Sequence, residues 1–316
     1  MAQYALVLFV AITLNFLLPR LMPGSPLRFL AGAEAGDLTA QDRARIVRDA
    51  GLDRSLPEQF GTYLTNLARG ELGYSFQQKK PIGAILLERL PWTLLLTGTA
   101  LLVSTVVGVA LGALAAWRRG GPTDIGSLAV FILLQSLPSF WLGMILVAVF
   151  SVQLGLFPTF GARDIFSKLE GLEYWTDVAH HLALPAVTLT LVTVSESFLT
   201  MRYSMLTVLG EDFITVARAK GLAQPQVLFR HAVRNAVLPV ATVFMLKLGE
   251  AFAGATVIET VFSYPGVGRL IYDAVLARDY PLLQGAFLVI TVSVVVANLV
   301  ADLLYPLLDP RVAKRA

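Results

Sequence analysis

The chain has 316 residues, of which 56% are hydrophobic and 15% charged, and its mean hydropathy is +0.68. Soluble globular proteins carry about 45–50% apolar and about 25% charged residues, so this composition excludes a disordered chain and disfavours a water-soluble fold. The lack of cysteine excludes disulfides, thiolate metal sites and cysteine nucleophiles. A pI near 9.2 would suggest nucleic acid in a soluble protein, but in a membrane protein it is typical of basic cytoplasmic loops.

Six apolar runs are long enough to cross a bilayer as helices, which takes about 20 residues each. They are residues 4–21, 92–117, 125–150, 182–201, 237–262 and 282–306. The sequence therefore predicts an all-α integral membrane protein with six transmembrane helices. The first run is the weakest, because Asn15 interrupts it and Pro19 and Arg20 end it. It has no basic leader and no small-residue cleavage site, so we expect a retained span rather than a signal peptide.

A long polar segment, residues 22–91, separates the first two runs. Residues 38–50 predict an amphipathic helix with Thr39 as N-cap and Gly51 as its stop, and residues 57–68 predict a second helix. This pattern indicates a folded helical lobe. The predicted domains are thus the first helix at 1–21, the lobe at 22–91, a five-helix core at 92–306 and a tail at 307–316.

Orientation follows from the short loops, because cytoplasmic loops carry an excess of Lys and Arg. Residues 118–124, 202–236 and 307–316 together hold ten Lys or Arg. The loops predicted for the opposite side, residues 153–182 and 263–282, hold only four over a similar length. We therefore expect both termini in the cytoplasm and the lobe outside.

The loop within residues 207–236 has the pattern of a helix, a break and a second helix. Asp212 is placed to cap a helix over 213–220, Gly221 to end it in the left-handed conformation, and Pro225 to open a helix that runs to Ala236. Helices this short are unstable alone in water, so they must pack against something. Three interpretations compete: a DNA-reading helix pair, which has no room between two spans; a solvated basic loop; and a docking element for a cytoplasmic partner.

The third interpretation is favoured by a resemblance. Residues 217–221 read Ala-Arg-Ala-Lys-Gly, and Arg230-His-Ala-x-Arg-Asn-Ala-x-Leu-Pro239 follows. With these segments the chain resembles a permease subunit of an ATP-binding-cassette importer, in the oligopeptide, dipeptide and nickel branch. Further matching segments follow in order: 23–26, 51–59, 90–91, 138–141, 184–186, Glu259-Thr-Val-Phe262, Pro265-Gly-Val-Gly268, 278–281 and 309–311. The chain departs from the general motif, since Thr215-Val-Ala replaces Glu-Ala-Ala and the 221–239 stretch is longer.

The resemblance implies a translocation subunit whose loop forms the helix that couples it to an ATPase subunit. The residues implied for this coupling helix are Glu211, Asp212, Ala217, Arg218, Ala219, Lys220 and Gly221. Ala217 and Gly221 would allow tight packing, and Arg218 and Lys220 would make polar contacts. The chain has no Gly-x-x-x-x-Gly-Lys-Ser/Thr phosphate loop, so it is not expected to be the ATPase. The resemblance implies a non-catalytic subunit that is not an enzyme and has no cofactor of its own.

The partners implied are a second related permease, two ATPase subunits that bind ATP and Mg, an extracytoplasmic solute-binding protein and the lipid bilayer, with no nucleic acid. The implied location is the bacterial inner membrane. Peptides are the first expectation for the substrate; nickel chelates, glutathione and oligosaccharides remain alternatives.

Four ionisable residues fall within the predicted spans: Glu196, Lys247, Glu250 and Asp302. A charge at the bilayer centre costs about 2.5–3.5 kcal/mol on insertion scales, so each needs a partner or water. Lys247 and Glu250 are three apart and can pair on one helix, which leaves an internal ion pair and a pathway role equally open. Glu196 has no opposite charge near it on its own helix, which favours the pathway, whereas Asp302 and Asn298 favour an interhelical hydrogen bond.

Two further patterns have modest interpretations. Gly108 and Gly112 form Gly-x-x-x-Gly, which predicts close helix packing within the subunit more than a dimer interface. His180 and His181 are expected in an external loop, where two histidines without a carboxylate or thiolate cluster make a poor metal site.

Two rival functions remain at this stage. A self-sufficient secondary transporter would bind substrate at the midplane, and Glu196 keeps it open, although six spans without an inverted repeat argue against it. A membrane-embedded enzyme is disfavoured because the sequence lacks Gly-x-Ser-x-Gly, His-Glu-x-x-His and cysteine, and its three histidines are expected in loops.

Overall fold

The computed structural model describes residues 2–21, 39, 41, 53–75, 77–251 and 255–308. Apart from residues 39 and 41, the helix predicted at 38–50 lies outside the described residues, and so does nearly all of the predicted tail. The described helices are α1 Ala2–Leu21, α2 Leu56–Ala68, α3 Ile82–Trp117, α4 Pro122–Ser136, α5 Ser139–Gln153, α6 Gly171–Leu209, α7 Asp212–Ala219, α8 Gln224–Glu250, α9 Thr256–Val261, α10 Val267–Ala277 and α11 Tyr280–Leu308. A two-residue antiparallel pair, β1 Tyr74–Ser75 and β2 Lys80–Pro81, precedes α3.

Among the described residues, four helices are long and apolar enough to cross a membrane: α3, α6, α8 and α11. The bent pair α4 and α5 makes a fifth if it counts as one span, and the apolar part of α1, Gln3–Leu17, is shorter. The predicted membrane-embedded helical architecture is therefore confirmed. The 39 residues of α6 extend about 58 Å, which exceeds a hydrocarbon core of about 30 Å, so this helix reaches beyond the bilayer.

The third predicted span is not one straight helix. It is divided into α4 and α5, whose axes differ by 101°. The break falls at Leu137 and Pro138: Leu137 has extended backbone, and Pro138 is the N-cap of α5. A proline disfavours helical backbone in the residue before it, and this local restriction explains the bend.

The fifth predicted span, 237–262, is wrong at both ends. The second helix of the 207–236 loop does not stop at Ala236 but continues through a π-helical stretch, Val227–Val233, to Glu250 as α8. This helix ends at Glu250, and residues 256–261 form the separate short helix α9. The reason is tertiary, because α9 is held by buried polar contacts to α3 that hydropathy does not register.

The pairing of α3 with α6 depends on the two glycines of the Gly-x-x-x-Gly pattern. A Cβ on Gly108 would lie 2.6 Å from the Cβ of Ser197, and one on Gly112 would lie 2.6 Å from the carbonyl oxygen of Phe198. The absence of these side chains lets the two backbones touch. The predicted packing within the subunit is confirmed.

The polar residue that weakens the first span has a structural partner. Asn15 Nδ2 donates to the carbonyl of Gln284 at 2.9 Å, and Gln284 Nε2 donates to the carbonyl of Asn15 at 3.1 Å. This reciprocal pair joins α1 to α11. Neither amide therefore has to be exposed to lipid without a partner.

Buried apolar clusters mark the two ends of the bundle. One cluster joins α3, α6, α7 and α8 and contains Ala113, Ala116, Met201, Met205, Ile214, Ala217, Val227, Ala232, Ala236 and Val240. We call this the α7 end. At the opposite end, Leu96, Leu184, Ile258, Phe262 and Tyr264 pack together, so that α9 and the turn after it close onto α3 and α6. We call α9, this turn and α10 the elbow, residues 256–277.

Candidate functional site

The short helix α7 is the element that the loop pattern predicted. It spans Asp212–Ala219, and Gly221 has φ +74°, so its predicted left-handed conformation is confirmed. A Cβ at Gly221 would meet no atom within 4 Å. The N-cap prediction is off by one residue, because Glu211 rather than Asp212 has the extended backbone of a cap. Asp212 is instead the first helical residue, where a carboxylate favours the helix dipole.

The helix α7 divides into a face that packs on the bundle and a face that does not. Ile214 and Ala217 are buried against the cluster at the α7 end. Phe213 and Val216 point away from it and are 41% and 51% exposed. Ala217 packs tightly against this chain's own bundle. The tight packing against an ATPase subunit implied for Ala217 and Gly221 stays a prediction.

The charged residues predicted for this helix lie on its surface. Glu211, Asp212, Lys220 and the small Ala219 are exposed. Arg218 is also exposed, and its guanidinium carbon lies 5.7 Å from the ring centre of Trp117, the last residue of α3. This cation–π contact links α7 to α3 within the subunit.

Three of the four ionisable residues predicted within spans come together. Lys247 Nζ lies 2.9 Å from Glu250 Oε2, as the spacing of three predicted, and 3.4 Å from Glu196 Oε2 across α6 and α8. Glu196 therefore has a cationic partner, which sequence could not place because it lies on another helix. The side chain of Glu196 remains 48% exposed and that of Glu250 65%.

Asp302 lies apart from this triad. Its carboxylate accepts a hydrogen bond from the hydroxyl of Tyr4, which joins α11 to α1. The predicted interhelical hydrogen bond at Asp302 is confirmed, although its donor is Tyr4. Asn298 lies next to Gly249 of α8 instead, where a Cβ on Gly249 would lie 2.7 Å from Asn298 Oδ1.

A buried ion pair stands near the α7 end. Arg202 Nε donates to Asp124 Oδ1 at 2.6 Å, Arg202 Nη2 donates to Oδ2 at 3.0 Å, and the backbone N–H of Gly120 also donates to Oδ2. Asp124 is buried. Arg202 was counted among the loop cations, but its charge is neutralised inside the bundle, where it fastens the start of α4 to α6.

At the elbow the structure reveals a buried carboxylate that charge counting missed. Glu259 of α9 is fully buried. Its Oε1 accepts from the hydroxyl of Thr93 at 2.8 Å, and its Oε2 accepts from the backbone N–H of Arg269 at 2.9 Å. The N–H of Arg269 is in the first turn of α10, so the carboxylate satisfies that helix N-terminus.

The glycines beside Glu259 explain the Pro-Gly-Val-Gly segment. A Cβ on Gly266 would lie 2.2 Å from the carboxyl carbon of Glu259, and one on Gly268 would lie 2.6 Å from Thr256 Oγ1. No larger side chain fits at either position without movement of the carboxylate or of α9. The glycines were visible in the sequence as a motif. The group that packs against them, a carboxylate seven residues upstream of Gly266, could not be identified from the sequence.

The two adjacent histidines lie in the first part of α6, not in a loop, and His231 is helical too, so the predicted loop positions are wrong. His181 Nδ1 lies 3.1 Å from Asp177 Oδ1, and His180 Nε2 contacts the carbonyl of Leu156 at 2.8 Å. A carboxylate is therefore adjacent after all. Within the described ranges, however, no group of three or more His, Cys, Asp or Glu is placed to hold a metal ion.

The loop before α6 is ordered by Asp164. Its carboxylate accepts hydrogen bonds from the Ser167 hydroxyl and from the backbone N–H of Phe166. These donors, the Ser167 hydroxyl first, lower the pKa of Asp164 below its usual value. The Asp164 N–H in turn donates to Asp177 Oδ2 at 2.7 Å, which attaches the loop to α6.

Known proteins resemble this chain over nearly its whole length. Residues 108–314 match the family described as binding-protein-dependent transport system inner membrane component. The chain is 38% identical to the di/tripeptide transport system permease protein DppB of Pseudomonas aeruginosa, over 95% of this chain and 93% of that protein. It is 38% identical to the glutathione transport system permease protein GsiC of Pectobacterium atrosepticum, over 96% and 94%. It is 35% identical to the oligopeptide transport system permease protein AppB of Bacillus subtilis, over 95% and 93%.

Proposed function

Since the chain belongs to the inner membrane component family of binding-protein-dependent transport systems and is a transmembrane permease, we propose that it forms half of the pathway of an ATP-driven importer. A second, related permease completes the pathway. Two ATPase subunits bind ATP and Mg and drive it, and an extracytoplasmic solute-binding protein delivers the solute. This chain is the non-catalytic subunit of that assembly.

The observation that carries this proposal is the two-faced helix α7. Its buried face, Ile214 and Ala217, is fixed to the bundle, so a force on α7 is passed to α3, α6 and α8. Its outer face leaves Phe213 and Val216 without cover, and apolar groups of that size gain from burial in a partner. We assign this face to a cleft of the ATPase, with Arg218, Lys220, Glu211 and Asp212 at its polar margin.

The triad of Glu196, Lys247 and Glu250 is proposed to face the translocation pathway. In an isolated subunit an exposed side chain within a span faces lipid, a partner or water. Lipid is the least favourable of these surroundings, because a charge there costs about 2.5–3.5 kcal/mol on insertion scales. The half-exposed carboxylate of Glu196 therefore belongs beside the second permease or the aqueous pathway. Asp302, bonded to Tyr4, is less suited to that role.

The proposed topology has six spans, with α1 as the first and the pair α4 and α5 as the third. Both termini and the α7 end lie in the cytoplasm, and the helical lobe between α1 and α3 lies outside the bacterial inner membrane. The loops predicted as cytoplasmic support this arrangement, because those between α3 and α4 and between α6 and α8 lie at one end, near Trp117, Arg202 and Arg218.

Peptides are the proposed substrates. The relatives are named for dipeptides, tripeptides, oligopeptides and glutathione, and all of these carry peptide or isopeptide amide bonds. Delivery by a binding protein leaves this chain a general pathway rather than a single high-affinity site. Uptake driven by an ion gradient without the ATPase subunits would instead support the alternative of a secondary transporter.

The test of the coupling role is Gly221→Glu, which adds a large side chain and strain at the end of α7. We expect the reconstituted complex to keep ATP hydrolysis but to lose most uptake, because α7 no longer transmits the movement. Gly70→Glu is the matched control, since Gly70 also has a left-handed backbone, at φ +77°, with no atom within 4 Å of an added Cβ, but lies outside α7. Full uptake by Gly221→Glu would contradict the assignment of α7.

A further inference from the structure

The Glu259 carboxylate closes a ring of hydrogen bonds among three elements. The hydroxyl of Thr93 on α3 donates to Glu259 on α9 at 2.8 Å, and the same hydroxyl oxygen accepts from the backbone N–H of Val267 on α10 at 2.7 Å. The Arg269 N–H of α10 completes the ring on Glu259 at 2.9 Å. One hydroxyl and one carboxylate thus fasten both helices of the elbow to α3.

This ring of hydrogen bonds requires a buried carboxylate and two glycines. A buried carboxylate is costly unless it is paired or fully hydrogen-bonded. None of the hydrogen bonds and ion pairs found for Glu259 in the described part of the chain comes from a Lys or Arg side chain; its donors are a hydroxyl and a helix N-terminus. The site also requires Gly266 and Gly268. An apolar residue would anchor the elbow more simply, so the ring contributes a directional attachment that packing alone does not supply.

Aromatic packing strengthens the same junction. Trp92, the neighbour of Thr93 on α3, meets the ring of Tyr264 edge to face at 6.1 Å between centres. Tyr264 is fully buried in the turn between α9 and α10. The elbow is therefore held to α3 on two adjacent residues, by hydrogen bonds at Thr93 and by ring contact at Trp92.

The other end of α3 is attached to α7. Trp117 meets the guanidinium of Arg218, and Ala113 and Ala116 pack in one cluster with residues of α7. Thr93 and Trp117 are 24 residues apart, which is about 36 Å of helix at 1.5 Å per residue. A single helix, α3, thus connects the α7 end with the elbow.

We propose that Glu259 is a positioning residue that makes the elbow move as one body with α3, so that the elbow follows α7 through the transport cycle. This rests on the proposed function only in that α7 receives the movement of the ATPase. Glu259 binds no solute in this role. It acts through Thr93 and the N-terminus of α10.

The experiment uses the full complex and attaches spin labels to introduced cysteines. This chain contains no cysteine of its own, so only the cysteines of the partner subunits have to be replaced first. Spin labels at Arg118→Cys, just after α3, and at Leu276→Cys, near the end of α10, report the distance between the far end of α3 and the elbow. A second pair, Arg118→Cys with a label on the other permease, reports whether the complex switches when ATP is trapped.

We expect the second pair to move while the distance from residue 118 to residue 276 stays within about 2 Å, near the amplitude of thermal motion. Thr93→Val and Glu259→Gln should broaden that distance and lower uptake at least about tenfold, because a hydrogen bond to a charged group contributes that much to an equilibrium. Thr99→Val on α3 and Glu88→Gln, an exposed residue of the same helix, are the matched controls and should change neither quantity.

A change of the 118–276 distance with switching in the unmodified elbow would overturn the proposal. It would also be overturned if Thr93→Val kept both the narrow distance distribution and normal uptake. If the second pair stayed still while ATP was trapped, the ATP-driven cycle itself would be contradicted, and the role of the elbow with it.

Discussion

The two ends of the bundle each bury a carboxylate, but they compensate it differently. Near the α7 end, Asp124 is paired in a bidentate contact with the guanidinium of Arg202. At the elbow, Glu259 has a hydroxyl and a backbone N–H of a helix N-terminus as donors. The first arrangement uses a discrete counter-charge, and the second uses backbone dipoles.

The difference teaches how each end tolerates change. An ion pair depends on two side chains and fails when either is lost, since the remaining charge is then buried alone. A carboxylate that accepts hydrogen bonds from backbone groups depends on the position of that backbone. It therefore depends on the glycines that allow the backbone to lie close to the carboxylate. The stability of the α7 end should therefore fall most when a charge is removed. The stability of the elbow should fall most when a glycine is replaced by a larger residue.

The largest expected effect is at the charge pair. Asp124→Asn leaves Arg202 buried without its counter-charge, which destabilises a protein by about 3–5 kcal/mol when a buried pair is broken. We expect a strong fall in the thermal stability of the purified complex. Asp273→Asn is the control, because the Asp273 side chain is 57% exposed and its ion pair with Arg269 is long, at 3.7 Å. Equal stability of the two variants would remove the contrast between the ends.

The next effect tests the elbow by size alone. Gly266→Ala adds one methyl group 2.2 Å from the Glu259 carboxyl carbon, and overpacking of this kind costs about 1–3 kcal/mol. Thermal unfolding should begin at a lower temperature than in Gly126→Ala, whose added methyl group meets nothing within 4 Å. A Gly266→Ala complex as stable as that control would show that the elbow can shift without cost.

The smallest effect separates charge from geometry at Asp124. Arg202→Lys keeps the cation but loses the two-pronged contact, so roughly one hydrogen bond, about 1 kcal/mol, should be lost. Stability should fall between those of the wild-type chain and Asp124→Asn. The reference is Arg269→Lys, because the long ion pair of Arg269 with Asp273 is partly exposed and its change should be near neutral. A loss as large as that of Asp124→Asn would mean that the geometry, not the charge, dominates.

Features that depend on neighbours in sequence were predictable. Hydropathy located the apolar helices, the three-residue spacing placed Lys247 beside Glu250, and the glycine pattern of α3 predicted its packing. Gly221 was recognised as a helix stop because a left-handed residue there is nearly always glycine. The family resemblance also came from ordered local motifs, and the match over residues 108–314 confirms it.

Features that depend on contacts between distant segments were missed. Lys247 reaches Glu196 from another helix, Asp124 meets Arg202 across 78 residues, and Glu259 meets Thr93 across 166 residues. Hydropathy also placed α9 within the fifth span, because the hydropathy of a segment does not show which distant residues donate hydrogen bonds to its buried carboxylate.

The sequence by itself determined that this is a helical membrane permease with a helix, a glycine and a second helix in one loop, since hydropathy, spacing and local motifs follow from neighbouring residues. Only the tertiary structure decided which charged side chains are neutralised by a partner and which remain exposed. That choice depends on the distance between helices, and the backbone sets that distance by close approach at glycines such as Gly108 and Gly266.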